Sequence, residues 1–312
     1  MKVAVIDMGT NVFGVLWAEV EEGYPKQFRE FKCGARLFDT TVSGGVLTEK
    51  SYISAVNALK MILYFVESNT GADVIKAYAT SAIRDAANGK EFAKSLGDHF
   101  GIEIEIISGE REAELIYKGG REAFFIWNEN VLLMDIGGGS VEFIIADKNK
   151  VLWKRSFPLG MARMKEMFSP SDPITQQDIE AFTAYCDREL NPLKEQLIRY
   201  KPTLLAGSSG SFDTFRTLLF PEDIGIRIGD EGFVSSRELP LERMAKLNEI
   251  LIASTKQERL AMKGMSELRA DFIGYASIFT QLVLKISGIE DVIQSSYSLK
   301  EGALFEELEV RK

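Results

Sequence analysis

The feature that most constrains the fold is one pattern that occurs twice in the 312-residue chain. In each copy an apolar run leads into an Asp-x-Gly turn, and a second apolar run, a polar turn and a third extended stretch follow. The two turns are Asp7-Met8-Gly9-Thr10-Asn11 and Asp135-Ile136-Gly137-Gly138-Gly139-Ser140. Because glycine permits the positive φ values of tight turns, each copy predicts a buried strand that doubles back as a second strand. The duplication predicts two similar domains that face each other.

Segments with helical spacing separate these strands and determine the fold class. Thr48 is a predicted N-cap, and the helix after it carries apolar residues spaced by threes and fours, namely Ile53, Val56, Leu59, Ile62, Phe65 and Val66. Thr175 with Asp178 predicts a capping box at the start of another helix, in which Ile179, Phe182, Leu190, Leu193 and Leu197 have helical spacing. We expect both stripes to pack on a sheet. Strands that alternate with helices predict an α/β fold.

Composition excludes several classes of function. His99 is the only histidine, and Cys33 and Cys186 are the only cysteines, so a multi-histidine metal centre or a zinc cluster has almost no ligands. The net charge of −9 disfavours binding to duplex nucleic acid, which depends on a cationic surface. No run approaches the ~20 apolar residues of a membrane span, and the N-terminal apolar run is too short for a signal peptide. These features predict a soluble, cytoplasmic protein.

The two Asp-x-Gly turns are candidate phosphate sites. Backbone N–H groups of such turns can point at an oxyanion while Asp7 and Asp135 hold Mg²⁺ or its waters. One copy alone is explained by ordinary turn chemistry. Two copies on duplicated sheets favour phosphate-binding turns that share one cleft. A third segment, Gly207-Ser208-Ser209-Gly210-Ser211, follows an apolar strand and precedes a helix, and alone it predicts only a flexible loop.

Acidic and basic residues near these turns have two interpretations each. Glu110, Glu112 and Glu114 follow a β-like stretch at the start of a helix, where the helix dipole alone explains acidic residues. A functional carboxylate here would activate water. Arg84 and the pair Arg163 and Lys165 lie near other glycines, and individually each is explained as a solvated surface charge.

Together these motifs resemble the exopolyphosphatase and guanosine pentaphosphate phosphohydrolase (Ppx/GppA) family, which has the actin-like, ribonuclease H-like fold of sugar kinases and Hsp70. The resemblance runs from Val3 to about Leu304. Its specific segments are Asp7 to Asn11, Ala79 to Asn88, Ile107-Ser108-Gly109 with Glu112-Ala113, Asp135 to Glu142, Pro158-Leu159-Gly160, Arg269-Ala270-Asp271 and Leu299-Lys300-Glu301-Gly302.

The resemblance implies a role for each candidate residue. Glu112 corresponds to the family's water-activating glutamate, and Asp7, Asp135 and Glu142 are the residues expected around Mg²⁺. The implied phosphate contacts are Gly9, Thr10, Asn11, Arg84, Gly137, Gly138, Gly139, Ser140, Gly207, Ser208, Ser209 and Gly210. Arg163, Lys165 and Arg269 are the expected cations of a polyphosphate channel.

The resemblance also implies the domain organisation. Residues 1–126 are expected to form the first actin-like domain, completed by a C-terminal helix at 300–312, and residues 127–299 the second, with a cleft between them. The chain resembles the short form of the family, without the C-terminal HD-type helical domain. A homodimer is compatible with this organisation.

Four positions depart from the family pattern. Gly14 stands where the first turn usually has a basic residue three positions after its Asn, and Glu114 stands where an Arg usually follows the catalytic Glu-Ala. Val141 replaces a threonine, and Ser296-Tyr297-Ser298 replaces an Asp-x-Gly. The loss of two cations and two polar contacts is expected to weaken binding of a long polyanion.

The expected activity is Mg²⁺-dependent hydrolysis of the terminal phosphoanhydride of inorganic polyphosphate, with release of orthophosphate. Guanosine pentaphosphate is the alternative substrate, which would connect the protein to the stringent response. A rival from another class is a non-hydrolytic nucleotide or alarmone sensor that signals through domain rotation.

Overall fold

A computed structural model of the chain describes residues 1–37, 41–42, 45–123, 129–226, 228, 230 and 233–310. The strands are β1 (Lys2–Met8), β2 (Val12–Glu21), β3 (Tyr24–Gly34), β4 (Thr41–Val42), β5 (Val46–Leu47), β6 (Val74–Ala79), β7 (Ile104–Ile106), β8 (Val131–Ile136), β9 (Val141–Ala146), β10 (Val151–Phe157), β11 (Leu204–Ser208), β12 (Ser236–Glu238) and β13 (Asp291–Ser295).

The helices are α1 (Glu49–Ser68), α2 (Ser81–Arg84), α3 (Gly89–Phe100), α4 (Gly109–Ala123), α5 (Met161–Phe168), α6 (Gln176–Glu189), α7 (Asn191–Tyr200), α8 (Ser209–Leu219), α9 (Leu241–Ala253), α10 (Lys256–Ala261), α11 (Glu267–Ala270), α12 (Ile273–Ser287) and α13 (Leu299–Val310), with a 3₁₀ turn at Pro221–Asp223. No helix in these described ranges combines the length and apolar character needed to cross a bilayer.

The chain divides into two compact units. Unit 1 comprises Met1–Gly119, Ile226–Phe233 and Ser298–Lys312, and unit 2 comprises Gly120–Gly225 and Val234–Tyr297. The expected boundary between residues 126 and 127 lies outside the described residues, as do the last two residues of the helix expected at 300–312.

Each unit is built on its own sheet, and the two sheets share one strand order. Unit 1 has the order β3-β2-β1-β6-β7, and unit 2 has β10-β9-β8-β11-β13 with β12 added at the edge. In each, the first three strands form an antiparallel meander and the next two run parallel to the central strand. The internal repeat and the α/β class are therefore confirmed. Every residue of β8 and β9 is buried, which is typical of a sheet with both faces covered.

The first predicted helix begins where expected, but one residue of the apolar stripe predicted to pack on the sheet is exposed. Thr48 and Ser51 form a reciprocal capping box at the start of α1. The buried stripe runs through Ala55, Leu59, Ile62 and Val66, whereas Ile53 is 54% exposed. At 100° per residue, Ile53 lies about 200° around the helix from Ala55, so the two side chains point in nearly opposite directions.

The second predicted helix is two helices. The capping box of Thr175 and Asp178 begins α6, as predicted, but α6 ends at Glu189 and α7 starts at Asn191. Pro192 is the reason for the break, because proline has no N–H group to donate and is tolerated only in the first turn of a helix. The predicted apolar residues of both pieces, including Phe182 and Leu193, belong to the core of unit 2.

Helices α4 and α13 pack with their backbones in contact inside unit 1. A Cβ atom on Gly302 would lie 1.8 Å from the carbonyl oxygen of Leu115, and one on Gly119 would lie 2.2 Å from that of Ser298. Ion pairs extend this contact, since Glu306 on α13 accepts from both Arg111 and Lys118 on α4. The late part of the chain therefore holds α4, the helix that carries Glu112.

Candidate active site

The first Asp-x-Gly turn connects β1 to β2 in unit 1. The N–H of Gly9 donates to the carbonyl of Val12 (3.2 Å), and a Cβ on Gly9 would lie 2.9 Å from that same oxygen. Backbone N–H groups of residues 35–37 donate to the carbonyls of Thr10 and Asn11 and fix the turn. The Asn11 Oδ1 atom is buried and makes no hydrogen bond to the described part of the chain, so it can accept one from a bound water.

Unit 1 brings this turn, Arg84 and Glu112 together. The hydroxyls of Thr10 and Ser81 are hydrogen-bonded (2.8 Å), and Ser81 begins α2, which ends at Arg84. Arg84 Nη1 donates to Glu112 Oε2 (2.8 Å) and to the carbonyl of Ile107 (3.4 Å). Only 9% of Glu112 is exposed. Two residues that the sequence assigned separate roles, a phosphate contact and a water-activating base, are thus an ion pair.

A row of four polar residues crosses the sheet of unit 2 at the second Asp-x-Gly turn. In register across β10, β9, β8 and β11 lie Ser156, Glu142, Asp135 and Ser208. Ser156 Oγ donates to Glu142 Oε1 (2.7 Å), and Ser208 Oγ donates to Asp135 Oδ2 (2.8 Å). The two carboxylates are 1% and 5% exposed. Cross-strand partners share a face of the sheet, so this row concentrates negative charge in a protected place.

The residues of this row fit Mg²⁺ by chemistry. Asp135 and Glu142 offer hard oxygen donors, and a cation between neighbouring carboxylates would offset their mutual repulsion. Within the residues that the structure describes, no three acidic, histidine or cysteine side chains are close enough to hold a metal between them. Magnesium is commonly bound by one or two carboxylates, with water and phosphate as the other ligands, so two are sufficient.

The glycine turn after Asp135 is fixed by the start of α5. Backbone N–H groups of Met161 and Ala162 donate to the carbonyls of Gly137 and Gly138 (3.0 and 2.9 Å), and Arg163 Nε donates to the carbonyl of Gly139 (2.9 Å). The turn and α5 approach so closely that a Cβ on Gly160 would lie 2.3 Å from the backbone of the turn. Arg163, expected in a polyphosphate channel, therefore contacts the turn itself.

The third glycine-serine segment is not the predicted loop. Strand β11 ends at Ser208 and α8 starts at the next residue, Ser209, whose φ of +67° makes the abrupt change of direction. A positive φ at a residue other than glycine is strained by ~1–3 kcal/mol, and such backbone strain is concentrated at functional sites. Gly207 faces the ring of Phe212, 2.0 Å from a Cβ position, so it serves packing.

Arg269 lies against this strand-to-helix junction. Its Nη2 atom occupies the space of a side chain at Gly210, 1.7 Å from a Cβ position. Burial lowers the pKa of Arg269, and the nearby carboxylates of Asp213 and Asp135 oppose that effect. Asp213 in turn accepts from Gln294 Nε2 (2.9 Å). Arg269 is therefore the cation beside Asp135.

Lys165, the remaining expected channel cation, pairs with a different carboxylate. Its Nζ donates to Asp271 Oδ1 (2.7 Å), and Lys256 Nζ donates to the other oxygen, Oδ2 (2.8 Å). The ammonium of Lys165 also lies 5.5 Å from the ring centre of Phe272. Although burial opposes it, the pair of lysines lowers the pKa of Asp271.

The structure also places the residues that depart from the family pattern. Gly14 is opposite Asp7 in the β1–β2 register, and the side-chain stem of Lys300 lies over it. Glu114 pairs with Arg111 (3.5 Å), and Ser296 Oγ accepts from Arg216 Nη1 (3.1 Å). A cation thus lies beside Gly14, although a residue far along the chain supplies it.

Burial alone would lower the pKa of Lys300, but Glu301, Glu30 and Asp7 together raise it. Ser156, Asp213 and Lys300 are the residues near the site to which sequence reasoning assigned no role. The hairpin register could have found Ser156, since it fixes which residue lies opposite Glu142. Lys300 lies in the motif segment Leu299-Lys300-Glu301-Gly302, which marks the position but assigns it no role, and no local signal identifies Asp213.

Comparisons with known proteins agree with this geometry. A family model described as the Ppx/GppA phosphatase family matches residues 18–311. Exopolyphosphatase 1 of Mycobacterium tuberculosis is 26% identical over 314 residues, which span 99% of this chain and 89% of that protein.

Two solved structures are similar along their whole length. The crystal structure of an exopolyphosphatase from Cytophaga hutchinsonii has a TM-score of 0.92 and 35% identity, covering 99% of this chain and 98% of that chain. The Ppx/GppA enzyme of Aquifex aeolicus has a TM-score of 0.79 and 25% identity, covering 98% and 99%. These similarities confirm the predicted duplicated actin-like fold and a hydrolase of the phosphatase type. The chain belongs to the Ppx/GppA phosphatase family.

Proposed function

We propose that the protein hydrolyses the terminal phosphoanhydride of inorganic polyphosphate and releases orthophosphate, with Mg²⁺ as cofactor. The observation that carries the proposal is the Arg84–Glu112 ion pair, which holds a nearly buried carboxylate at the start of a helix in a chain of this family. A cytoplasmic location is part of the proposal, because two free buried cysteines suit a reducing compartment.

In this proposal Glu112 takes a proton from the attacking water and orients it. Arg84 fixes the direction of that carboxylate, and Ser108 fixes the helix start by accepting a hydrogen bond from the N–H of Arg111 (3.1 Å). Backbone N–H groups of the two Asp-x-Gly turns would contact phosphate oxygens. Positioning and charge stabilisation carry most of the catalysis in phosphoryl transfer, so rigid turns are an advantage.

Asp135 and Glu142 of unit 2 would hold Mg²⁺, and Asp7 of unit 1 stays an expected metal ligand. The ion would supply positive charge where negative charge spreads over the transferred phosphoryl oxygens. Ser156 and Ser208 would orient the two carboxylates of unit 2, as hydrogen-bonded neighbours of metal ligands commonly do.

The decisive variant is Glu112→Gln, which keeps the shape of the side chain and removes its basicity. We expect phosphate release from polyphosphate to fall by ~10²–10⁴-fold while tripolyphosphate binding is retained, because that range is typical of a general base. Glu110→Gln is the matched control, since Glu110 lies in the same helical turn and is exposed. Near-normal turnover by Glu112→Gln would contradict the assignment and make Glu110 or Glu142 the candidate base.

The same assay separates polyphosphate from its alternatives. Guanosine pentaphosphate carries the same phosphoanhydride chemistry, and faster phosphate release from it than from polyphosphate would reverse the preference proposed here. A non-hydrolytic sensor would bind one of these anions and release phosphate from neither. Gly14 and Glu114 stand where the family usually has cations, and these two departures are the reason that a sensor remains the alternative.

A further inference from the structure

The duplicated sheets allow the two Asp-x-Gly turns to be compared position by position. In unit 2 the strand partner of Asp135 is Glu142, and the partner of Glu142 on the next strand is Ser156. In unit 1 the partner of Asp7 is Gly14, and the partner of Gly14 is Lys32. The position next to the aspartate thus has a carboxylate in one unit and no side chain in the other.

Lys300 and Lys32 both border the space that Gly14 leaves, and Lys32 Cγ would lie 3.6 Å from a Cβ there. A Cβ on Gly14 would lie 3.7 Å from Cδ and 3.8 Å from Cε of Lys300, at ordinary van der Waals distance. Lys300 is 8% exposed and comes from α13, the helix that packs against α4. The stem of a lysine from another element therefore lies over Gly14 in unit 1, at the register position where unit 2 has Glu142.

The surroundings of this ammonium are acidic and confined. Lys300 Nζ lies 3.0 Å from Glu30 Oε1 and 3.9 Å from Glu301 Oε1, and it also interacts with Asp7 by charge. Glu30 has a second lysine partner, Lys32 (3.1 Å), whose side chain is 44% exposed. Among these residues Lys300 is the enclosed cation and Lys32 the exposed one.

We propose that Lys300 is a positioning residue for the hydrolysis, acting through Asp7 as the built-in cation of the first turn. Its ammonium fixes the Asp7 carboxylate by charge, while its stem lies over Gly14. The proposal rests on the proposed function, because the effect expected is on turnover and on binding of a phosphate chain.

The test separates the charge of Lys300 from its packing. Lys300→Met keeps the stem and removes the charge. The swap variant Gly14→Lys with Lys300→Ala removes the stem and returns a charge from the opposite strand. If charge is the role, Lys300→Met should lower kcat on polyphosphate by about ten- to a hundredfold, the effect of misplacing a reacting group by about an ångström. The swap variant should regain most of that loss.

A second readout does not depend on turnover. Binding of tripolyphosphate is measured by calorimetry in the Glu112→Gln background, with and without each Lys300 change. We expect Lys300→Met to weaken this binding and the swap variant to restore most of it. Lys32→Met is the matched control, since it removes a lysine from the same Glu30 carboxylate. Because unpaired carboxylates can unfold Lys300→Met, the variant Glu30→Gln with Lys300→Met removes one charge of each sign, and its melting temperature is recorded.

The outcomes are distinct. Normal kcat and binding in Lys300→Met, or in the double variant Glu30→Gln with Lys300→Met, would overturn the proposal. A swap variant that recovers no activity would also overturn it. A packing role predicts the reverse order, with Lys300→Met active and the swap inactive. A wild-type protein that releases no phosphate would contradict the proposed function instead, before any Lys300 variant is compared.

Discussion

Gly210 and Gly14 differ in what lies where a side chain would be. The guanidinium of Arg269 occupies that space at Gly210, whereas a methyl group would fit at Gly14. At Gly210 a Cβ would meet the guanidinium of Arg269 at 1.7 Å, whereas at Gly14 the nearest atom would be 3.6 Å away. The obstacle at Gly210 is the far end of a flexible side chain, so Arg269 can move. The cost of filling that space is therefore a displaced cation rather than a disrupted fold.

We expect Gly210→Ala to lower kcat/KM on polyphosphate by at least about tenfold and to lower the melting temperature. The added Cβ would lie 1.7 Å from Arg269 Nη2, so it displaces a buried cation from the carboxylates of Asp213 and Asp135, and the helix propensity of alanine is too small to offset that loss. Thermal unfolding and steady-state kinetics measure the two effects. Gly14→Ala is the control for an added methyl group, and it should change neither quantity. Full activity in Gly210→Ala would mean that the position of Arg269 is unimportant.

The two aspartates should differ in their dependence on metal. We expect Asp135→Asn to raise the Mg²⁺ concentration for half-maximal activity more than Asp7→Asn does. Asp135 has Glu142 as its strand partner, whereas Asp7 has Gly14 as strand partner and Lys300 as a nearby cation. Magnesium titrations of both variants and the wild type test this difference. Equal half-activation concentrations in all three would contradict it.

At the scale of elements, the contact between α4 and α13 connects the helix of Glu112 to a segment far away in sequence. Glu306 is central to it, because hydrogen bonds from Arg111 and Lys118 outweigh burial and lower the pKa of Glu306 from 4.5. A lowered pKa contributes stability that is present above the unfolded value and is lost as the pH falls below it. The contact should therefore weaken in acid.

Glu306→Gln should lower the free energy of unfolding by about 1 kcal/mol at pH 7, a value reduced for partial solvent exposure of the pair. The difference from wild type should narrow as the pH falls below about 4.5, where the wild-type carboxylate loses its ionic advantage. Urea unfolding between pH 7 and pH 3 gives both numbers. Glu309→Gln, which alters a more exposed partner of Lys118, should have the smaller effect. A constant difference across this pH range would exclude the ionic explanation.

Most elements near the site were predictable because their signals are local. The repeated pattern places Asp7 and Asp135 at strand ends, and the capping boxes at Thr48 and Thr175 mark two helix starts. The division into α6 and α7 was missed because the apolar spacing continues across Pro192. Lys300 could not be assigned, since its partners Glu30 and Asp7 lie near the other end of the sequence and nothing local brings them together.

At the scale of the whole molecule, a net charge of −9 means that a polyanion must be held by few cations. The three expected channel cations make different contacts. Arg163 contacts the glycine turn, Arg269 lies at Gly210, and Lys165 pairs with Asp271 at 39% exposure of its side chain. Arg163 and Arg269 thus contact glycine segments of the candidate site, whereas the ion-pair partner of Lys165 lies outside those segments.

Lys165→Ala should therefore weaken long-chain polyphosphate more than tripolyphosphate and reduce the salt dependence of long-chain binding. Arg163→Ala should lower turnover of both substrates, because it removes the hydrogen bond to Gly139. Exposed charges are screened beyond ~8 Å at 0.15 M salt, so competition assays at two salt concentrations reveal the difference. Identical salt slopes for long and short chains in Lys165→Ala and in the wild type would mean that only the terminal phosphates are held.

The membership of α13 in unit 1 has a consequence for the order of events during translation. The ribosome synthesises α4 before every helix of unit 2, and α13 after them. At ~5–20 residues per second, Glu112 waits on the order of ten seconds for the helix that packs against its own. During that interval Asp7 also lacks Lys300, and Glu30 has Lys32 as its lysine partner. The helix of the proposed catalytic base is therefore among the first parts of the protein to be synthesised and among the last to become fully packed.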